Sequence, residues 1–146
     1  SKLAGLKDAI SEGDLRTVKH LIDRRKLALT KDRQGRTALH FALEQNQPKI
    51  ALYLIHRFPD SVNIKDRLQR TPLHYAAIYG ENSEVYQSLI TSGVDSNVID
   101  KFGKTAFEYT KDSTLLRSHL SVATTNMSDN SERQVESPED FDYVAA

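Results

Sequence analysis

The stretch RTPLHYAAIYG, from Arg70 to Gly80, decides how the rest of the chain is read. A single His inside a short apolar helical run admits two readings. It is either a base or metal ligand, or a side chain built into the fold. The sequence answers by repetition. DRQGRTALHFA at Asp32–Ala42 returns as DRLQRTPLHYA at Asp66–Ala76, and more weakly as DKFGKTAFEYT at Asp100–Thr110. Asp32, Asp66 and Asp100 stand 34 residues apart, as do Thr37, Thr71 and Thr105. A residue that recurs with such a block belongs first to the scaffold.

Between these blocks lie VKHLI, ALYLI and VYQSLI, each placing an apolar stripe on one face of a short helix. Polar bends (EGD, QNQP, YGENS) separate the two helices of each unit. The opening GLKDAISEGDLRTVKHLI carries the same two-helix pattern without the Thr-x-Leu-His start. Two short helices cannot bury both of their faces, whereas stacked pairs share one continuous core. The expectation is an all-α solenoid of paired antiparallel helices joined by short loops.

Over residues 5–118 the chain resembles the ankyrin-repeat family, in about four units with the last degenerate. The resemblance rests on the Asp, the Gly two residues before Thr-Pro-Leu-His-x-Ala, and a closing apolar pair in each unit. Departures are local. Gln69 stands where the family has a Gly, which suggests a less ideal turn. Ala38 and Ala106 replace Pro, and Phe107-Glu108 replaces Leu-His. Leu43 stands where the middle unit has Ala77, and extra residues fall near Phe58-Pro59 and Glu81–Ser83. The fourth unit reads as a C-terminal cap with a short last helix around Thr114–Leu120.

Thr37, Thr71 and Thr105 precede helical runs and read as N-caps, while Pro72 sits where a missing N–H costs nothing. The resemblance gives His40 and His74 a structural role, bonding within and between units. Chemistry needs groups that converge in space, and a solenoid separates these two by a whole unit. His20, His56 and His119 show no zinc-ligand spacing, and no nucleophile elbow, phosphate loop or carboxylate pair is present. No catalytic residue, metal or cofactor is expected.

The resemblance implies a cupped hand, with loops as fingers and first helices as palm. It places KDRQGR, KDRLQR and DKFGK on successive fingers, with a basic ladder of Arg33, Arg36, Arg67, Arg70, Lys101 and Lys104. Phe41 and Tyr75 follow the His in their units, Tyr79 lies one turn beyond Tyr75, and Leu68 and Phe102 fall at fingertips. Aromatic groups ringed by charge are the usual anchors of a protein interface. Arg33, Arg36, Phe41, Arg67, Leu68, Tyr75, Tyr79, Lys101 and Phe102 are therefore the candidate partner-binding residues. The expected partner is a protein or peptide, of acidic character if the ladder steers it.

The formal net charge is zero, but residues 1–120 hold 19 Lys/Arg against 14 Asp/Glu. Residues 121–146 hold one Arg against six acids. This divides the chain into a repeat domain, 1–120, and an acidic tail, 121–146, whose composition predicts disorder in isolation. The tail closes on SPEDFDYVAA, where Phe141, Tyr143 and Val144 stand among Glu139, Asp140 and Asp142. That is how a docking peptide looks, and the basic surface of the same or another molecule is a candidate receptor for it. Ser137-Pro138 matches a proline-directed phosphorylation pattern.

No run is long and apolar enough for a membrane span, and nucleic acid is not expected from so mild a positive balance. The first residues lack an apolar signal core, and the absence of Cys excludes disulfides and Cys-based zinc sites. A cytoplasmic or nuclear location is expected. The leading functional reading is a non-catalytic module that recruits or positions a protein partner. A regulatory subunit masking an enzyme or transcription-factor surface is the alternative, and an enzyme with an unrecognised site is a second.

Overall fold

A computed structural model describes residues 2–22 and 25–112. Among these residues eight α-helices follow in order: α1 Lys2–Ser11, α2 Leu15–Leu21, α3 Arg25–Ala28, α4 Ala38–Glu44, α5 Pro48–Arg57, α6 Pro72–Ala76, α7 Glu84–Thr91 and α8 Ala106–Lys111. Among the described residues there is no β-strand. Helices pack in sequential pairs, α1 with α2, α4 with α5, and α6 with α7. The first helices form one row (α1, α4, α6, α8) and the second helices another (α2, α5, α7). The expected solenoid of helix pairs is what the chain builds.

The core runs between the rows. Leu6, Ile10, Leu39, Leu43, Ile50, Leu54, Ile55, Leu73 and Leu89 are all buried in one cluster that crosses every unit boundary. Burying such a side chain stabilises the fold by about 1.5–3 kcal/mol. Local chemistry sets where helices start. Asp14 Oδ1 accepts the Thr17 N–H at 3.1 Å at the head of α2, and Ser83 Oγ accepts the Tyr86 N–H at 3.3 Å at the head of α7. Pro48 and Pro72 open α5 and α6.

The insertions are absorbed outside the paired helices. The residues after Phe58 form a 3-10 turn, Pro59–Asn63, and Glu81–Ser83 form the bend that leads into α7. At the far end, Leu39 and Leu73 are buried, but Phe107 at the same register is 46% exposed. Among the described residues α8 has no second helix beside it. The expected cap around Thr114–Leu120 lies outside the described residues, as does the whole 121–146 segment.

Candidate functional site: the finger edge

Each finger is organised by the Asp at its base. Asp66 Oδ1 accepts the N–H groups of Leu68 and Arg70, both at 2.9 Å. Asp32 does the same for Gln34 and Arg36, and Asp100 for Phe102 and Lys104. Backbone bonds across each loop, such as Asp66 N–H to Arg70 O at 2.9 Å, close the turn. Four amides per finger are satisfied locally, since Gln69 N–H and its counterparts Gly35 and Gly103 donate to the carbonyl of the same Asp.

The turn demands a left-handed residue, supplied by Gly35 (φ 80°), Gln69 (φ 63°) and Gly103 (φ 78°). Gln69 makes the same turn as the glycines, at a steric cost of about 1–2 kcal/mol. Gly35 is needed twice over, because a Cβ there would stand 2.9 Å from the Arg67 amide nitrogen. Adjacent fingers are joined through their backbones. The Arg67 N–H donates to Gln34 O and the Lys101 N–H to Leu68 O, each at 2.9 Å.

The two histidines tie finger to helix and unit to unit. His40 Nδ1 accepts the Thr37 N–H at 3.1 Å, and its Nε2–H donates to Arg70 O at 3.0 Å. His74 does likewise with Thr71 at 3.2 Å and Lys104 O at 3.0 Å. Each His occupies the capping-box position that Glu108 fills for Thr105, where Glu108 Oε1 accepts the Thr105 N–H at 2.8 Å. Only the neutral ring can accept at Nδ1 and donate at Nε2. Burial accordingly pushes His40 down to about 4 and lowers His74.

The nine predicted contact residues divide. Arg33, Arg67 and Lys101 are exposed in one row, one per finger. The neighbouring register carries half-buried Leu68 and Phe102, which is 45% exposed. The Arg67 guanidinium donates from Nη1 to Arg33 O at 2.9 Å, which lays it along the edge.

The palm candidates are mostly turned inward. Tyr75 is only 4% exposed: its hydroxyl donates to Asp66 Oδ2 and its ring meets His40 edge-on, centroids 5.0 Å apart. Burial, then the Asp66 carboxylate, push that hydroxyl well above its ordinary range, so it remains a donor. Tyr75 is therefore a core residue and not a surface anchor. Tyr79 is half-buried, its hydroxyl donating to Leu43 O at 2.7 Å. Phe41 is half-buried, with Lys7 Nζ 4.8 Å and the Arg36 guanidinium carbon 5.3 Å from its ring centre.

Two cations of the expected ladder are also withdrawn. Arg36 pairs with Asp32 at 3.0 Å and with Glu44. Arg70 is completely buried, its Nε donating to Asp100 Oδ2 at 3.0 Å and its Nη2 to the Tyr109 hydroxyl at 3.2 Å. The Tyr109 hydroxyl also donates to Asp100 Oδ2 at 2.6 Å. This inner network lies outside the predicted contact set, yet the sequence carries a signal for it. Asp66 and Tyr75, like Asp100 and Tyr109, are nine residues apart, and each Tyr hydroxyl bonds its Asp. At the matching place Phe41 has no hydroxyl. Lys7 supplies the donor instead, 2.7 Å from Asp32 Oδ2.

Among the described residues no group of three His, Asp or Glu side chains could hold a metal ion. Phe141, Tyr143 and Val144 lie outside the described residues, as does Ser137.

Stacked helix pairs, hydrogen-bonded fingers and a His-to-carbonyl ladder define a repeat protein of the helical-solenoid class. The family model for ankyrin repeats (three copies) matches residues 6–100, and the chain belongs to the ankyrin-repeat family. It is 42% identical over 71 residues to human ankyrin repeat and SOCS box protein 6, covering 48% of this chain and 17% of that protein. It is 33% identical over 105 residues to dog inversin, covering 71% of this chain and 10% of that protein. A further relative is alpha-latrotoxin-Lg1a of Latrodectus geometricus, 28% identical over 112 residues, with 75% of this chain and 8% of the toxin covered. The chain thus spans a small fraction of the length of the curated relatives it matches. Ankyrin repeats generally mediate protein–protein interactions, and the fold is typically non-catalytic.

Proposed function

We propose that this chain is a non-catalytic recruitment module that holds a protein or peptide partner along its finger edge. The observation that carries the reading is the pair of adjacent rows, cations at Arg33, Arg67 and Lys101 beside apolar Leu68 and Phe102. Exposed cations in a row steer an acidic partner and speed encounter. Apolar groups beside them provide area that leaves water on contact. The inward turn of Tyr75 moves the weight of the contact from palm to fingers. The fingers hold their shape without a ligand, because each loop is closed on its own Asp and bonded to its neighbour. Little ordering cost then falls on binding.

The test is affinity capture from a lysate with the wild type, Arg67→Glu/Lys101→Glu and Leu68→Ala/Phe102→Ala. A control, Glu84→Lys/Gln87→Lys, lies on the second-helix face. The reading requires that the same partner be lost from both finger variants and kept by the control, all melting within a few degrees of wild type. Retention by the finger variants contradicts it.

A further inference from the structure

The cationic and apolar rows have a complement within the chain itself. Residues 139–143 read Glu-Asp-Phe-Asp-Tyr. In an extended segment successive side chains point to opposite sides. Asp140 and Asp142 then share one side, and Phe141 and Tyr143 the other. The finger edge offers the matching pair of registers. Arg33, Arg67 and Lys101 carry the charge, and Leu68 and Phe102 stand one residue further along the second and third loops.

We propose that the segment 139–144 of this chain docks across the finger edge, with its acids toward Arg67 and Lys101 and its aromatic rings toward Leu68 and Phe102. It thereby occupies the recruitment surface and competes with an external partner. The inference rests on the finger-edge reading above and adds the occupant and its regulatory sense.

Charge and reach both favour this occupant. Residues 121–146 hold six acids against one Arg, whereas residues 1–120 carry an excess of Lys and Arg. From Asp112 to Asp140 the chain advances 28 positions. Fully extended, that spans at most about 95 Å. Every finger is therefore within tether length. Tethering makes binding intramolecular, with an effective concentration up to the millimolar range. A weak contact of two acids and two rings can then compete with a tighter external ligand. The acids also provide a release: screening by salt, or an acidic partner, removes the steering charge.

Because the chain contains no Cys, one label can be placed cleanly. The experiment uses the full chain, 15N-labelled, with a nitroxide at Ala146→Cys, and reads amide peak intensities against the reduced label. At least a twofold intensity loss is expected at Arg67, Leu68, Lys101 and Phe102, with none at His56, Gln87 or Ser88 on the second helices. Asp140→Lys/Asp142→Lys should restore the finger intensities, as should 1 M salt. Three results overturn the proposal: equal loss on both faces, loss confined to the second helices, or loss that survives the charge reversal. A mixture of nitroxide-bearing unlabelled chain with label-free 15N chain covers the remaining occupant. Finger broadening in that mixture as strong as in the singly tagged 15N chain assigns the edge to a second copy and also overturns the proposal. If the fingers are not broadened while Arg67→Glu/Lys101→Glu still loses its captured partner, the tail inference fails and the recruitment reading stands.

Discussion

Arg70 donates from Nε to Asp100 Oδ2 at 3.0 Å, and both side chains are fully removed from solvent. The pair joins the second finger to the third across 30 residues of sequence, with the Tyr109 hydroxyl bonded to both partners. A charge buried this deeply is tolerable only while its partner is present. Arg70→Met or Asp100→Asn alone should each cost about 3–5 kcal/mol. The double change Arg70→Met/Asp100→Asn should cost clearly less than the sum. Urea unfolding of the four chains measures the coupling, and additive losses would refute it.

His40 sets the acid limb of stability. Its folded value of about 4 lies below the ordinary 6.5, so between these pH values the unfolded chain binds the extra proton. Stability is then full above pH 6.5 and falls as the pH drops toward 4, by about 3 kcal/mol in total. His74 acts in the same direction. Below pH 4 the depressed carboxyls of Asp32 and Asp100 continue the loss as they protonate. Unfolding free energy from pH 7.5 to 4.5 should decline in the wild type and flatten in His40→Gln. An unchanged slope in that variant would contradict the account.

The second finger carries strain that the other two avoid. Gln69→Gly should raise stability by about 1 kcal/mol, since φ 63° suits Gly and not Gln. Gly35→Ala should lose more than that, because strain at φ 80° is joined by a clash with the Arg67 amide. Calorimetric melting of both variants checks the opposite signs.

Lys7 and the hydroxyls of Tyr75 and Tyr109 donate to the Oδ2 atoms of Asp32, Asp66 and Asp100 respectively. Lys7→Met should cost about 2 kcal/mol, within the range for a charged hydrogen bond. Phe41→Tyr should be close to neutral alone, since Lys7 already serves Asp32. In the Lys7→Met background the new hydroxyl should recover about half of the loss. Failure of any recovery would show that Phe41 does not share the geometry of Tyr75 and Tyr109.

The repeat was legible because its residues act locally. Asp66 closes its own loop within four residues, and Thr71 and His74 meet across one helical turn, so their spacing alone carries the structure. The surface was less legible because facing depends on distant partners. Tyr75 follows His74 and reads as a variable, outward residue, but its hydroxyl is drawn inward to Asp66. Arg70 reads as one more cation on a solvated edge, yet Asp100 and Tyr109 lie 30 and 39 residues away. Only the recurrence of Tyr nine residues after Asp hinted at this inner network. Arg67 and Lys101 stay on the outside.

Recruitment along the finger edge, as proposed, makes a quantitative prediction for binding. The most direct measurement is the equilibrium affinity of a captured, purified partner for the wild type and for Arg67→Glu/Lys101→Glu, at 50 and 300 mM salt. The expected result is at least a tenfold loss of affinity at low salt, with a flatter salt dependence in the variant and an unchanged melting temperature. Equal affinity and equal salt dependence in the two folded proteins would contradict it.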